Sequence, residues 1–328
     1  MVLTLLPVII PRILQQSSNN ARTTRLSKTE LSGLLLPITT PFTAEGELDL
    51  SALQRNISKW NKTGIRGYVM LGSTGERVHL DEREYEQVIT TARTAIPEEL
   101  LLIAGAGQHS TRLTINEISR VSSIGGVDGV LVLTPHFYRP GITQQLLEDH
   151  YRAVADASPL PVILYSMPPF TGVKIEPSTV GRLSSHENII GIKDSSADVA
   201  GLKQTVDEVE DEFAVLTGNG TILDQALRAG ACGAILAVGC VAPHLASAII
   251  EATKAGDFEE AAKLQVKLTP LATAVTTTYG IGGLKLGLDL AGYEGGYVRA
   301  PLKMPDAQAR DEIEELLKAA MDQLGTPA

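Results

Sequence analysis

Ile189-Ile190-Gly191-Ile192-Lys193-Asp194 reads as an apolar, β-branched strand that ends in a lysine and an aspartate. The lysine is the informative residue. Burying an ammonium costs several kcal/mol, so a lysine closing such a run is either solvated or salt-bridged, or held where its neutral form is favoured. A neutral amine is the form that attacks a ketone and makes a Schiff base. The surroundings have to decide between these readings.

Working outward, seven more short apolar runs recur at 34–38, 67–71, 100–104, 129–133, 161–165, 213–217 and 233–238. Between them lie helix-length segments at 50–62, 81–95, 111–124, 143–157 and 197–210, with apolar positions at helical spacing. Asp81-Glu82-Arg83-Glu84 puts acids in a first helical turn, and Asp49 or Ser51 can cap the helix before it. Eight strands, each followed by a helix, predict an α/β fold of the (β/α)8 TIM-barrel type. A doubly wound sheet is the alternative, but no Gly-x-Gly-x-x-Gly follows the first strand. Past residue 238 the chain reads as helices at 243–254, 258–278, 283–291 and 306–324. The barrel needs only the first of these, which leaves a C-terminal helical appendage. The expected division is a leader over 1–32, the barrel over 33–255 and a helical extension over 256–328.

The 328 residues carry a formal charge of −10, with 44% apolar and 20% charged side chains. That balance disfavours nucleic acid or an anionic membrane as the main partner. Cys232 and Cys240 are the only cysteines and form no disulfide framework or zinc spacing. Six scattered histidines contain no His-Glu-x-x-His, so no metal or cofactor is expected. Residues 1–29 contain Arg12, Arg22, Arg25 and Lys28 among hydroxyl residues, with no acid before Glu30. This suits a mitochondrial transit peptide, with a disordered leader and cytoplasmic residence as the alternative. The apolar stretch 1–10 is too short to span a bilayer.

In a barrel, chemistry sits at the carboxyl ends of the strands. Three polar constellations fall there. Gly72-Ser73-Thr74-Gly75-Glu76 can turn backbone N–H groups and two hydroxyls toward one carboxylate, or simply form a turn that caps a helix. Tyr165-Ser166-Met167-Pro168 ends the fifth strand, where the phenol either relays protons or is packed with its hydroxyl satisfied. Lys193, followed by Asp194, Ser195 and Ser196, ends the sixth. Neighbouring strands would set Tyr165 and Lys193 side by side.

These three motifs resemble those of the dihydrodipicolinate synthase / N-acetylneuraminate lyase family, over a span from about Gly33 to the C-terminus. The resemblance implies a metal-free class I aldolase barrel, usually a homotetramer, acting on a small 2-oxo acid. It implies that Lys193 forms the imine, that Tyr165 shuttles protons, and that Ser73 and Thr74 bind the carboxylate while Ser73 continues the relay. Ser195 and Gly218 join them as substrate-binding positions. The synthase branch typically has an arginine five positions after the relay tyrosine; here stands Phe170. The sialic-acid branch offers an acidic pair where this chain has Gly218-Asn219-Gly220-Thr221. Phe137, with Tyr138 beside it, takes the usual place of a tyrosine lent to a neighbouring subunit.

Pro37-Ile38-Thr39-Thr40-Pro41-Phe42, Tyr279-Gly280-Ile281-Gly282-Gly283-Leu284-Lys285 and Gly295-Gly296-Tyr297-Val298-Arg299-Ala300-Pro301-Leu302 are similar to the 4-hydroxy-2-oxoglutarate aldolases of that family. The expectation is therefore cleavage of 4-hydroxy-2-oxoglutarate to pyruvate and glyoxylate. A 2-keto-3-deoxy-sugar-acid aldolase is the alternative. Dihydrodipicolinate synthase and a non-enzymatic 2-oxo-acid binder stand behind both. Arg299, a basic residue late in the tail, is expected outside the pocket.

Overall fold

The computed structural model describes residues 26–322. Eight parallel strands close into a barrel in sequence order: β1 (Leu34–Pro37), β2 (Gly67–Met70), β3 (Leu101–Ala106), β4 (Gly129–Leu133), β5 (Val162–Ser166), β6 (Ile189–Asp194), β7 (Ala214–Thr217) and β8 (Gly233–Ile235). Strand alternation sorts the apolar residues into two layers. Leu35, Val69, Ile103, Leu131, Ile163, Leu216 and Ile235 fill the barrel interior. Their neighbours Leu36, Met70, Leu102, Val130, Leu164 and Val215 pack outward under the helices. The register shifts between Val162 and Ile163, whose partners are Ile189 and Gly191, so Ile190 is an extra residue in β6. A Cβ at Gly191 would lie 2.6 Å from the carbonyl oxygen of Ala214, which is why the extra residue is followed by a glycine.

The helices are α1 (Lys28–Leu31), α2 (Leu50–Trp60), α3 (Glu82–Ala95), α4 (Thr111–Ile124), α5 (Gln144–Ala157), α6 (Pro168–Thr171), α7 (Pro177–Ser184), α8 (Val199–Glu208), α9 (Leu223–Arg228), α10 (Pro243–Lys254), α11 (Phe258–Thr273), α12 (Gly280–Leu290) and α13 (Ala307–Met321). Of the two candidate caps for α2, Asp49 is the one used, accepting from the N–H of Ala52 at 2.8 Å. Asp81 and Glu84 form a reciprocal capping box at α3. On α2, Leu53, Ile57 and Trp60 face the barrel, and the Trp60 indole donates to the carbonyl of Cys240 at 2.9 Å.

One expectation changes. Residues 26–32, assigned to the leader by composition, belong to the fold. Leu26 and Leu31 are buried against the floor of the barrel interior, and Ser27 caps α1 with Glu30. The rest of the expected transit peptide lies outside the described residues. The C-terminal helices expected beyond the barrel are present as α11, α12 and α13. A turn of π-helix, Ala274–Thr278, follows α11, and with α12 it forms one wall of the barrel mouth. Among the described residues no helix is long and apolar enough to cross a membrane.

One buried group gives the fold a pH dependence. His150 on α5 bonds the Thr111 hydroxyl through Nδ1 at 2.9 Å, while its Nε2 is buried without a partner among the described residues. Burial pushes its pKa down to about 4. Above the unfolded-state value of about 6.5 the ring is neutral in both states and its contribution is intact. As pH falls from there through the folded value, the unfolded chain binds the proton first, at a cost on the order of 3 kcal/mol. Denaturant unfolding at pH values across this window should show the loss. His150→Gln should flatten the slope, and an unchanged slope in that variant would rule His150 out as its source.

Candidate active site

Tyr165 and Lys193 are direct lateral partners on β5 and β6, so their side chains leave the sheet on the same face, inward. Both are buried, at 4% and 5% exposure, although the barrel mouth is open above them. The Lys193 ammonium nitrogen lies 4.5 Å from the centroid of the Tyr165 ring. On the other side of that phenol, Ser73 Oγ is 3.4 Å from Tyr165 Oη. A chain of amine, phenol and hydroxyl therefore lines one side of the cavity.

The loop carrying Ser73 and Thr74 is held in a strained conformation. Leu71 and Glu76, neither of them glycine, have φ of 55° and 53° and bracket the loop in the left-handed region, at about 1–2 kcal/mol each. Gly105 on β3 makes room, since a Cβ there would fall 2.1 Å from the carbonyl oxygen of Leu71. Glu76 anchors the other end. Its carboxylate, almost wholly buried, lies 2.6 Å from the Lys285 nitrogen of α12 and 3.0 Å from Nδ1 of His79, and accepts from the Arg299 N–H at 3.1 Å. Lys285 also donates to the carbonyl of Thr40 at 2.8 Å, and the Thr40 hydroxyl donates to that of Gly75 at 2.7 Å. Burial holds the Lys285 pKa below its usual range, and Glu76 pulls against that shift.

Gly218, after β7, is required by crowding. A Cβ there would sit 2.0 Å from Ser195 Oγ and 2.7 Å from Lys193 Cε, so any side chain would push the lysine aside. Its N–H donates to the Asp194 carbonyl at 2.6 Å, and Ser195 N–H donates to that of Ser166 at 3.0 Å. These two bonds extend the sheet past its strands and fix the rim.

All six residues singled out from the sequence, Ser73, Thr74, Tyr165, Lys193, Ser195 and Gly218, line a single cavity of about 230 Å³. Phe170 also lines it. Phe137 and Tyr138 do not; they stand exposed with rings 5.0 Å apart. Arg299 is outside the cavity, forked onto Glu84 with its guanidinium over the Phe42 ring. Sequence reading missed the wall built by Val275, Thr276, Thr277, Ile281 and Leu284. The run Thr276-Thr277-Thr278, polar in an otherwise apolar helix, was the available signal. Among the described residues no three His, Cys, Asp or Glu side chains come together as a metal site would need.

A closed (β/α)8 barrel with this lysine and tyrosine at its mouth is an aldolase-type enzyme of class I. The chain belongs to the dihydrodipicolinate synthetase family, whose model matches residues 30–320. It is 36% identical over 277 residues to 4-hydroxy-tetrahydrodipicolinate synthase 1 of Streptomyces coelicolor, covering 84% of this chain and 89% of the relative. The synthase of Methanopyrus kandleri is 32% identical over 298 residues, covering 90% and 97%. Among solved structures, YagE, a prophage protein of Escherichia coli K12 solved in complex with pyruvate, superposes with a TM-score of 0.81 at 30% identity, covering 88% of this chain and 98% of its own.

Proposed function

We propose that the protein cleaves a short 4-hydroxy-2-oxo acid by way of an imine on Lys193. The observation that carries this reading is the in-register pairing of Lys193 with Tyr165, with Ser73 at the phenol's hydroxyl. The Lys193 amine adds to C2 of the 2-oxo acid and water leaves. The resulting iminium draws the electrons of the C3–C4 bond to give an enamine. Tyr165, having given its own proton to the hydroxyl that left as water, takes the C4 hydroxyl proton as that bond breaks, and C4 departs as the carbonyl carbon of an aldehyde. Protonation at C3 and return of the water release pyruvate and restore the amine. Ser73 and Thr74 hold the C1 carboxylate.

The sequence points first to 4-hydroxy-2-oxoglutarate, which gives glyoxylate, and second to 2-keto-3-deoxy sugar acids. Both have the same reacting end and differ beyond C4. The named relatives are 4-hydroxy-tetrahydrodipicolinate synthases. Phe170 supports the cleavage reading, because it lines the cavity where the synthases typically place an arginine for aspartate semialdehyde. A homotetramer goes with this reading, since Phe137 and Tyr138 are large and exposed beside the barrel mouth.

A coupled assay for pyruvate tests the proposal. Tyr165→Phe keeps the ring and removes only the proton carrier, so kcat should fall by about 10²–10⁴. An undiminished rate would remove Tyr165 from the relay, and absence of pyruvate from every 4-hydroxy-2-oxo acid would remove the activity.

A further inference from the structure

We propose that His136, in the loop after β4, is the proton gate of the active site, exchanging protons between the Tyr165–Ser73 pair and solvent. The inference rests on the aldolase reading and adds the route by which its relay reaches water. His136 acts through Ser73, as a positioning residue, and meets no reacting atom.

The cavities set the path. A second cavity, of about 310 Å³, opens on the far side of the relay, and Ser73 and Tyr165 line it as they line the first. A third, of about 320 Å³, lies beyond it among the exposed residues Asp81, Glu82 and Arg120. Among the described residues, four line both the second and the third: Arg77, Val78, Leu133 and His136. Two of these are hydrocarbon, and a guanidinium does not give up its proton. That leaves His136 as the member of the shared wall able to take a proton and return it near neutral pH.

The ring is held in the tautomer this needs. A carbonyl can only accept, so Nδ1 donates to the carbonyl of Thr134, at 3.1 Å. Nε2 is then a bare acceptor, with no partner among the described residues. His109 packs edge-on against the ring, centroids 4.6 Å apart. Burial, then His136 and Arg77, hold the His109 pKa below its usual range, so His109 adds no charge beside a proton on His136 near neutral pH.

The other groups around the ring are engaged elsewhere. In the third cavity Arg77 pairs with Glu117 at 2.6 Å and Arg120 pairs with Glu82. Asp81 caps α3, and the Tyr85 hydroxyl donates to the carbonyl of Gly105 at 2.8 Å. In the second, Glu76 is taken by Lys285 and His79, and the Thr171 hydroxyl by the carbonyls of Met167 and Val173. None of these anions bonds His136, so a proton arriving there can move on.

Each transfer breaks one O–H or N–H bond and forms another. Tyr165 gives its proton to Ser73 Oγ as Ser73 gives its own to water in the second cavity, which has room for several. That water protonates Nε2, and the imidazolium returns a proton to water in the third cavity. The reverse sequence brings one in. No net proton is consumed over a turnover, because the one taken from the C4 hydroxyl is given back at C3.

Pyruvate in D2O reads this route without an aldehyde. Its iminium loses a C3 proton to the Tyr165 phenolate, and the enamine regains a deuteron once the relay has exchanged with solvent; NMR follows loss of the methyl signal. His136→Gln keeps a donor for the Thr134 carbonyl but carries no proton. It should slow the exchange about tenfold or more, while borohydride still traps pyruvate on Lys193 to the wild-type extent. His136→Ala should be as slow, and added imidazole should restore the exchange in proportion to its concentration, which a merely structural role would not allow. Wild-type exchange in His136→Gln, or a loss in His136→Ala that imidazole leaves untouched, overturns the proposal. So does a wild type that traps pyruvate without exchanging it. If the wild type fails to trap pyruvate, the aldolase reading falls and takes this inference with it.

Discussion

Lys193→Arg should leave the fold intact and lose pyruvate release by about 10⁴-fold or more, roughly 5.5 kcal/mol at the transition state. Arginine keeps a positive charge at the same place, and a cation that merely steadied the substrate would survive the exchange in part. A guanidinium is never deprotonated in a protein and cannot become an imine. The buried stem, 5% exposed, and the ring contact with Tyr165 hold the longer side chain in the same channel. Circular dichroism and a thermal melt establish folding, and the coupled assay measures the loss. If the arginine variant retains more than about a hundredth of the rate, charge rather than covalent attachment carries catalysis.

Lys285→Met should destabilise the protein by about 3–5 kcal/mol, the cost of leaving one partner of a buried ion pair alone. Lys285 and Glu76 are 0% and 1% exposed, so the stranded Glu76 carboxylate cannot recover water. Two further bonds to that carboxylate, from His79 and the Arg299 N–H, remove only part of the burden. The loss concentrates at the active site. Glu76 is one of the two left-handed residues bracketing Ser73 and Thr74, and without Lys285 only the bonds from His79 and the Arg299 N–H are left to hold it at a φ of 53°. Pairing Lys285→Met with Glu76→Gln removes both charges and should recover part of the stability, since a neutral pair no longer pays for desolvation. Denaturant melts of the two single variants and the double variant measure this directly. Additive losses would mean that the two residues act independently.

Much of the barrel was legible because its signal is local. The eight apolar runs fall on the observed strands within a few residues, and the helices at 111–124 and 243–254 have the expected bounds. The pairing of Tyr165 with Lys193 followed from strand order alone. What escaped depends on distant partners. The helices Pro177–Ser184 and Leu223–Arg228 are too short to display a helical period. Nothing near Leu26 and Leu31 indicates that the barrel floor lies above them. The helix expected over 258–278 is helical throughout, but its last five residues widen into a π turn. Lys285 is an ordinary-looking lysine in sequence, and only its burial against Glu76 gives it weight.

The account rests on covalent attachment at one nitrogen, and reductive trapping reads it most directly. The enzyme is incubated with pyruvate, reduced with borohydride, digested and mapped by mass spectrometry. The peptide spanning Ile189-Ile190-Gly191-Ile192-Lys193-Asp194 should carry the reduced pyruvyl adduct on Lys193, and Lys193→Arg should carry none. An unmodified Lys193 under these conditions, or an adduct on another lysine, would contradict the account.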